Sequence, residues 1–435
     1  MRANAYAARV LEGEAGALLA RLRRVKPAAL QFTSVPAAAV SLSAQAAIED
    51  LIRRGRGELE RLVGDFLEWL RSPEAEAATP EQMQRRFTFA RLRFHALLSR
   101  FDVFADVLTQ RSEQEFGVWL GGLDALATDA LALPGYYDTP PVVCYLDRGH
   151  GAAIRRVRTR LPGGEDNPVA VIRVPRERMV GSGIGSSLVH EAGHQAAELL
   201  DLLNSMRMAL NQKQQRDAAR QDAWAMYERW ISEILADFWS VARLGVASTM
   251  GLIGVVSLPR AFVFRMSGDD PHPFPWIRVK ISAAIGATLY PHPQWAQVAA
   301  LWESYYPPQR VEGEQRELIA LLEDTLPDFA AMLANHRPRR LGGQALREVL
   351  SVEERQPERL IALWKSWRGA PAQMREAPPT LALAALGQAR ADGTLEPERE
   401  SRLVSELLTY WALRATTELA AAYGKPAAAR ALAVA

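Results

Sequence analysis

The spacing of hydrophobic residues predicts helices through about the first 125 residues of the chain. A 3.6-residue repeat places apolar side chains on one face of a helix, where they can be buried together. A comparable pattern runs through residues 87–98 and 102–126. The clearest set, with charged residues between its members, is Leu59, Leu62, Val63, Phe66, Leu67 and Leu70.

The pattern changes after the pair Pro140 and Pro141. Residues 142–146 and 169–174 are short runs rich in valine and isoleucine, and residues 154–161 mix apolar residues with arginine. Short runs of this composition, bounded by proline and glycine, are typical of β-strands. The sequence therefore predicts a small β-sheet that immediately precedes the next helix.

Beyond this sheet the pattern becomes helical again. Residues 224–244 and a segment from Trp276 have helical spacing, and helices are expected from there to the end of the chain. The charge-free stretch at residues 244–259 is short for a membrane span, which needs ~20 residues, so a buried core helix is expected. Glu12 and Glu14 interrupt the N-terminus before a useful apolar core forms, which argues against a signal peptide.

Composition narrows the functional class without naming it. The 435 residues are 49% hydrophobic and 23% charged, as in globular proteins, and the formal net charge is +2. A charge so close to zero does not predict binding to nucleic acid. Cys144 is the single cysteine, so no intrachain disulfide can form, and a reducing, cytoplasmic location is expected.

The candidate chemistry lies in the run Leu188-Val189-His190-Glu191-Ala192-Gly193-His194. Histidines four residues apart lie on one face of a helix, so the imidazoles of His190 and His194 can reach a single metal ion. Glu191 can contact a metal-bound water and act as its base. We expect this helix to be capped by one of the serines that precede the motif: Ser182, Ser186 or Ser187.

A catalytic zinc needs a third protein ligand. A histidine six residues after the second is excluded, because that position is Leu200. Glu198 would lie about 12 Å along the helix axis from His190, too far to share its ion. Glu233 on the later helix can supply the ligand, and Asp237 one turn further could accept a hydrogen bond from a ligand histidine. The alternative is that Glu233 and Asp237 form a solvated acid pair. Four further histidines are expected to be structural or to lie in loops and turns: His95, His150, His292 and His336.

Three short motifs together resemble a family of zinc peptidases. H-E-x-G-H at residues 190–194 is followed by E-x-x-A-D at residues 233–237 and by H-P-x-x-x-x-R at residues 272–278. Over residues 185–285, this order resembles the gluzincin peptidases. The most similar branch contains the heat-shock membrane peptidases and the CAAX-prenyl peptidases.

The resemblance implies a role for each matched residue. His190, His194 and Glu233 would be the ligands of a Zn²⁺ cofactor, and Glu191 would be the general base. Asp237 would contact a ligand rather than the metal itself. These assignments agree with the helix geometry of the first motif and add the third ligand to it.

By the same resemblance, His272 and Arg278 line the site, where they could stabilise an oxyanion or hold the helix that carries Glu233. The strand at residues 169–174 would bind an extended substrate by edge pairing. The relatives named are multi-span membrane proteins, whereas this sequence has no adequate span. Their substrates are therefore not carried over to this chain.

The sequence thus predicts a mainly α protein with a zincin-like metallopeptidase core and a small β-sheet at residues 131–305. Helical regions at residues 1–130 and 306–435 flank this core. The expected function is zinc-dependent hydrolysis of a peptide or protein substrate through a zinc-bound water activated by Glu191. Two alternatives remain: a non-catalytic scaffold that keeps a zincin core and binds protein partners through its helical flanks, and a zinc-dependent amidase.

Overall fold

The computed structural model of the chain describes residues 2–25, 35–148, 152–162, 164–176, 181–267 and 270–424. Within these residues the protein is mainly α-helical with one small β-sheet, which confirms the fold class predicted from the sequence. The strands are β1 (Val142–Asp147), β2 (Ala153–Arg155) and β3 (Ala170–Pro175). The helices are α1 (Arg2–Leu22), α2 (Leu42–Leu70), α3 (Pro73–Ala77), α4 (Pro80–Thr109), α5 (Gln114–Leu131), α6 (Gly183–Leu199), α7 (Leu202–Arg216), α8 (Gln221–Leu244), α9 (Val246–Val256), α10 (Arg260–Val263), α11 (Pro275–Leu289), α12 (Gln294–Tyr305), α13 (Gly313–Ala334), α14 (Leu346–Val349), α15 (Pro357–Trp367), α16 (Pro371–Glu376), α17 (Pro379–Ala391) and α18 (Pro397–Gly424).

Prolines and capping side chains mark where several of these helices begin. Thr79 accepts a hydrogen bond from the backbone N–H of Gln82, whose side chain accepts one from the backbone of Thr79 in return. This capping box satisfies two N–H groups that the first turn of α4 leaves without partners. Pro275 occupies the first position of α11, where a missing N–H costs nothing. The helix predicted from Trp276 therefore begins one residue earlier.

Contacts within the chain define two compact units. The first comprises Met1–Val118, Arg155–Ala170 and Ala415–Ala435. In it, α1, α2 and α4 pack against one another and bury apolar residues such as Leu59 and Phe94. In residues 59–70, the pattern residues Leu59, Val63 and Phe66 are buried on α2. In residues 87–98, Phe87, Phe94 and Leu97 are buried on α4, whereas Phe89 and Leu92 are 64% and 59% exposed.

The second unit comprises Trp119–Ile154 and Val171–Arg414, and its centre is α8. Among the described residues, the helices that pack most extensively against α8 are α6, α7, α9, α11, α13 and α17. Every residue of α8 from Glu233 to Leu244 is buried. Polar side chains on such a helix need partners inside the protein, because each unpaired one costs about 1–3 kcal/mol. The indole N–H of Trp239, for example, donates to the carbonyl of Ala130 at 2.9 Å.

The strand order of the sheet is β1-β3-β2, so β3 is the central strand. The expectation that residues 169–174 offer a free edge to a substrate is therefore wrong. The hydrogen-bonding edges of β3 face strands on both sides, and five of its six residues are buried. An almost continuous apolar run is what a strand covered on both faces requires. The run identified the strand correctly, but it did not show that other strands lie on both sides of it.

The charge-free stretch at residues 244–259 contains α9, which packs against α6 and α17. Val246, Ala247 and Ile253 are buried, whereas Met250 is 38% exposed. The expected core helix is therefore buried on one face only. Among the described residues, no helix has both the length and the apolar character needed to cross a membrane.

Candidate metal centre

The helices α6 and α8 lie antiparallel and place the two sequence motifs against each other. His194 faces Glu233, and one turn along the pair His190 faces Asp237. One further turn along the two helices, the hydroxyl of Ser240 donates to the carbonyl of Ser186 at 3.3 Å. The four-residue spacing in each motif matches one helical turn, so the two histidines of α6 lie opposite the two carboxylates of α8.

Three potential metal ligands converge in this interface. One donor atom from each of His190, His194 and Glu233 lies within 4.8 Å of the other two. The Nε2 atom of His190 is 3.3 Å from Oε2 of Glu233, and Nε2 of His194 is 3.4 Å from Oε1. Oε2 of Glu233 is buried and lacks a hydrogen-bond partner among the described residues. Two imidazoles and a buried, under-satisfied carboxylate fit a zinc ion, for which this is a known catalytic ligand set.

A buried ion pair between Asp237 and Arg278 lies against this cluster. Oδ1 of Asp237 lies 2.8 Å from Nδ1 of His190, although the angle of this contact falls outside hydrogen-bond geometry. Arg278 from α11 donates two hydrogen bonds to the same carboxylate, from Nε at 2.7 Å and from Nη2 at 3.0 Å. Its guanidinium also lies 3.7 Å from Glu233. Bidentate pairing of this kind fixes the carboxylate in both position and plane.

These charges determine the protonation states of the metal-free site. Burial favours neutral His190, but the carboxylates of Asp237 and Glu233 outweigh it and raise the pKa of His190 to about 9. Burial alone would raise the pKa of both carboxyls. The two histidines instead hold the pKa of Glu233 well below its usual range, and Arg278 with His190 does the same for Asp237. A metal ion that binds here must therefore displace a proton from His190.

His272 reaches the same carboxylate from the loop that precedes α11. Its Nε2 atom lies 3.3 Å from Oε2 of Glu233, and its side chain is 48% exposed. Oδ1 of Asp270 accepts hydrogen bonds from both the backbone N–H and Nδ1 of His272, at 2.9 and 2.7 Å. The structure thus brings both His272 and Arg278 to Glu233. Sequence reasoning missed Asp270, whose place two residues before His272 is typical of an Asx-turn.

Glu191 lies on α6 between the two histidines and is 8% exposed. Its negative charge attracts the buried guanidinium of Arg278. Burial lowers the pKa of Arg278, but Asp237, Glu233 and Glu191 together raise it above its usual value. Glu191 is therefore near the cluster without belonging to the three ligands.

Comparison with family models, with curated proteins and with solved structures finds no match for this chain. The chemistry of the site must therefore be inferred from its own residues. Three other histidines lie elsewhere: His95 is exposed on α4, His292 accepts a hydrogen bond from the backbone of Gln294, and His336 contacts Ser205. His150 lies outside the described residues.

The prediction that a serine side chain caps α6 is wrong. Ser182 occupies the N-cap position, but its side chain makes no capping hydrogen bond. Its hydroxyl and its backbone N–H both donate to Oε1 of Glu400, at 2.5 and 3.1 Å. Ser186 donates to the carbonyl of Gly183 instead. The carboxylate at the start of this helix comes from α18, and nothing local in the sequence indicates it.

The close approach of α6 and α8 depends on small residues in both motifs. A Cβ atom added to Gly193 would lie 2.9 Å from the backbone of Ala236 and 2.9 Å from Cβ of Trp239. These atoms are fixed, so an added methyl group would push the helices apart. Gly193 and Ala236 thus set the distance across which His190 and His194 face Glu233.

Replacing Gly193 by alanine is expected to lower stability by about 1–3 kcal/mol, the typical cost of overpacking, and to weaken metal binding. Denaturant unfolding and competition with a chelator measure the two effects. The matched control is Gly183→Ala on the same helix, because a Cβ there meets nothing within 4 Å. Wild-type stability and wild-type zinc affinity in Gly193→Ala would contradict the tight contact.

Proposed function

We propose that this protein is a zinc-dependent metallopeptidase with His190, His194 and Glu233 as its metal ligands. The observation that supports this most directly is the convergence of these three donors, within 4.8 Å of one another, in a partly open site. The two histidine side chains retain 14% and 15% exposure, so solvent or a substrate can reach them. Three protein ligands with an open position distinguish catalytic zinc sites from structural ones.

Zinc, when bound, lowers the pKa of a water molecule and polarises the carbonyl group to be attacked. Glu191 then accepts a proton from the water and delivers it to the leaving amine. A buried carboxylate beside the ligands suits this role, because it can hold the proton between the two steps. The use of Glu191 as base agrees with the resemblance to the gluzincin peptidases.

Asp237 and Arg278 act on the ligands rather than on the substrate. The carboxylate of Asp237, 2.8 Å from Nδ1 of His190, attracts that side of the ring by its charge and leaves Nε2 for the metal. Arg278 is engaged by both oxygens of Asp237, which favours the role of holding α8 over that of stabilising an oxyanion. Loss of either residue would leave a buried charge without its partner.

His272 is far more exposed than the three ligands, at 48% of its side chain. With Nδ1 donating to Asp270, His272 can donate from Nε2 to a substrate oxygen only when its ring is protonated. Such a donor, about 3 Å from the developing negative charge, would stabilise it. We therefore assign His272 to the substrate side of the site.

The substrate class we propose is a peptide or protein, and the helical regions outside the site are available for protein partners. A cytoplasmic setting suits this assignment, since Cys144 is the single cysteine of the sequence and is buried. The rival functions, a zinc amidase and a scaffold without activity, use the same ligands and differ in what they turn over.

The purified protein should contain about one zinc per chain and should cleave members of a peptide library. Elemental analysis gives the stoichiometry, and mass spectrometry of the digest gives the products, with and without a chelator. Cleavage should disappear on chelation and return with added zinc. Zinc binding with hydrolysis only of non-peptide amides would favour the amidase, and zinc binding without turnover would favour the scaffold. Absence of zinc would contradict the assignment.

A further inference from the structure

The first turn of α6 receives its hydrogen-bond acceptor from a distant part of the second unit. A helix leaves its first N–H groups without partners, and the positive end of its dipole lies there. Ser182, at the N-cap of α6, donates twice to Glu400, from its backbone N–H and from its hydroxyl. Glu400 lies in the first turn of α18, 218 residues further along the chain.

The surroundings of Glu400 are shaped to hold a carboxylate. Glu400 is 6% exposed, and Nε of Arg390 lies 3.4 Å from the second oxygen of Glu400, Oε2. Gly181 has a φ of +72°, and a Cβ at that position would lie 3.0 Å from Oε2. Glycine at this position therefore allows both the backbone conformation and the close approach of Glu400. Hydrogen bonds, an ion pair and a helix N-terminus together offset the cost of burying this charge.

The position of Ser182 gives this contact a consequence for the metal ligands. Ser182 precedes His190 by about 12 Å along the helix axis, and α6 is one uninterrupted helix between them. The small residues Gly193 and Ala236 set the separation of α6 and α8, whereas the contact with Glu400 holds the N-terminal end of α6. A slide of about 1 Å along the axis would be close to a third of the 3.3–3.4 Å distances between the histidines and Glu233, and a misplacement of that size is enough to disturb a functional site.

We propose that Glu400 is a positioning residue that fixes α6 along its axis and so aligns His190 and His194 with Glu233. The consequence for metal binding rests on the proposed zinc site. The alignment of α6 itself does not, and it can be measured in the metal-free protein. Glu400 would thus make the geometry of the metal centre depend on α18.

The experiment compares the wild type with Glu400→Ala and Glu400→Gln. The control is Glu398→Gln, which removes a charge from an exposed position in the same turn of α18. Chelator competition should show zinc affinity about tenfold lower in Glu400→Ala. Glu400→Gln should lie between this variant and the wild type, because an amide oxygen can still accept from Ser182. The absorption spectrum of bound Co²⁺ should change in Glu400→Ala, since it reports ligand geometry, and should be unchanged in Glu398→Gln.

Hydrogen exchange of the metal-free proteins separates the two levels of the proposal. Peptides from the first two turns of α6 should exchange faster in Glu400→Ala, whereas peptides from α2 should not. If the wild type binds no metal but this difference is present, the zinc site is refuted and the role of Glu400 stands. If the wild type binds zinc and Glu400→Ala changes neither affinity, spectrum nor exchange, the role of Glu400 is refuted. If Glu400→Ala does not fold, the same measurements are made on Glu400→Gln, and the same two outcomes apply.

Discussion

Replacing Glu191 by glutamine should lower peptide hydrolysis at least ~100-fold while zinc stays bound. Glutamine has the same size and keeps one oxygen, but it cannot accept a proton from water at neutral pH. Glu191 is not among the three clustered ligand donors, so the metal should be retained. Because Glu191 is buried, an isosteric substitution avoids the packing defect that alanine would create. Initial rates on a cleaved peptide measure hydrolysis, and the zinc content of the same protein measures metal binding.

The matched control for this variant is Glu198→Gln, an exposed position near the other end of the same helix. That change should leave both turnover and zinc unaltered. Equal turnover in Glu191→Gln and wild type would show that the measured hydrolysis arises from another site or from a contaminating protease. Loss of zinc from Glu191→Gln would instead show that this carboxylate is a ligand.

The His194→Ala variant should lose nearly all of its zinc. Two remaining ligands, His190 and Glu233, cannot hold the ion against dialysis, because a catalytic site already relies on only three protein donors. A second readout is thermal stability. Zinc at 100 times its dissociation constant stabilises a folded protein by about 2.7 kcal/mol, so the Tm of the wild type should rise with zinc and that of His194→Ala should not.

His95→Ala provides the control for this second prediction, since His95 is an exposed histidine on α4 of the first unit. It removes one imidazole without touching the cluster and should keep one zinc per chain. Full zinc occupancy in His194→Ala would exclude the proposed ligand set. Zinc loss in both variants would point to non-specific binding by surface histidines.

Several features of this protein followed from local sequence alone. The four-residue spacing of His190 and His194 places both on one helix face, because the period of an α-helix is independent of its surroundings. The same reasoning located the helices α2, α4 and α8. The strands β1 and β3 were recognisable from short runs of valine and isoleucine. Local patterns determine such elements because each depends on residues within one or two turns of one another.

The tertiary structure decided which of these elements meet. The sequence left open whether Glu233 and Asp237 were a solvated pair. In the structure they are buried because α8 is surrounded by other helices, and this places them against α6. The central position of β3 was likewise unpredictable, since an apolar run does not reveal which strands lie on either side of it. The contact between Ser182 and Glu400 joins residues 218 positions apart. Periodicity cannot report such pairings, because they arise only when separate elements pack, and the site that we propose is built mainly from them.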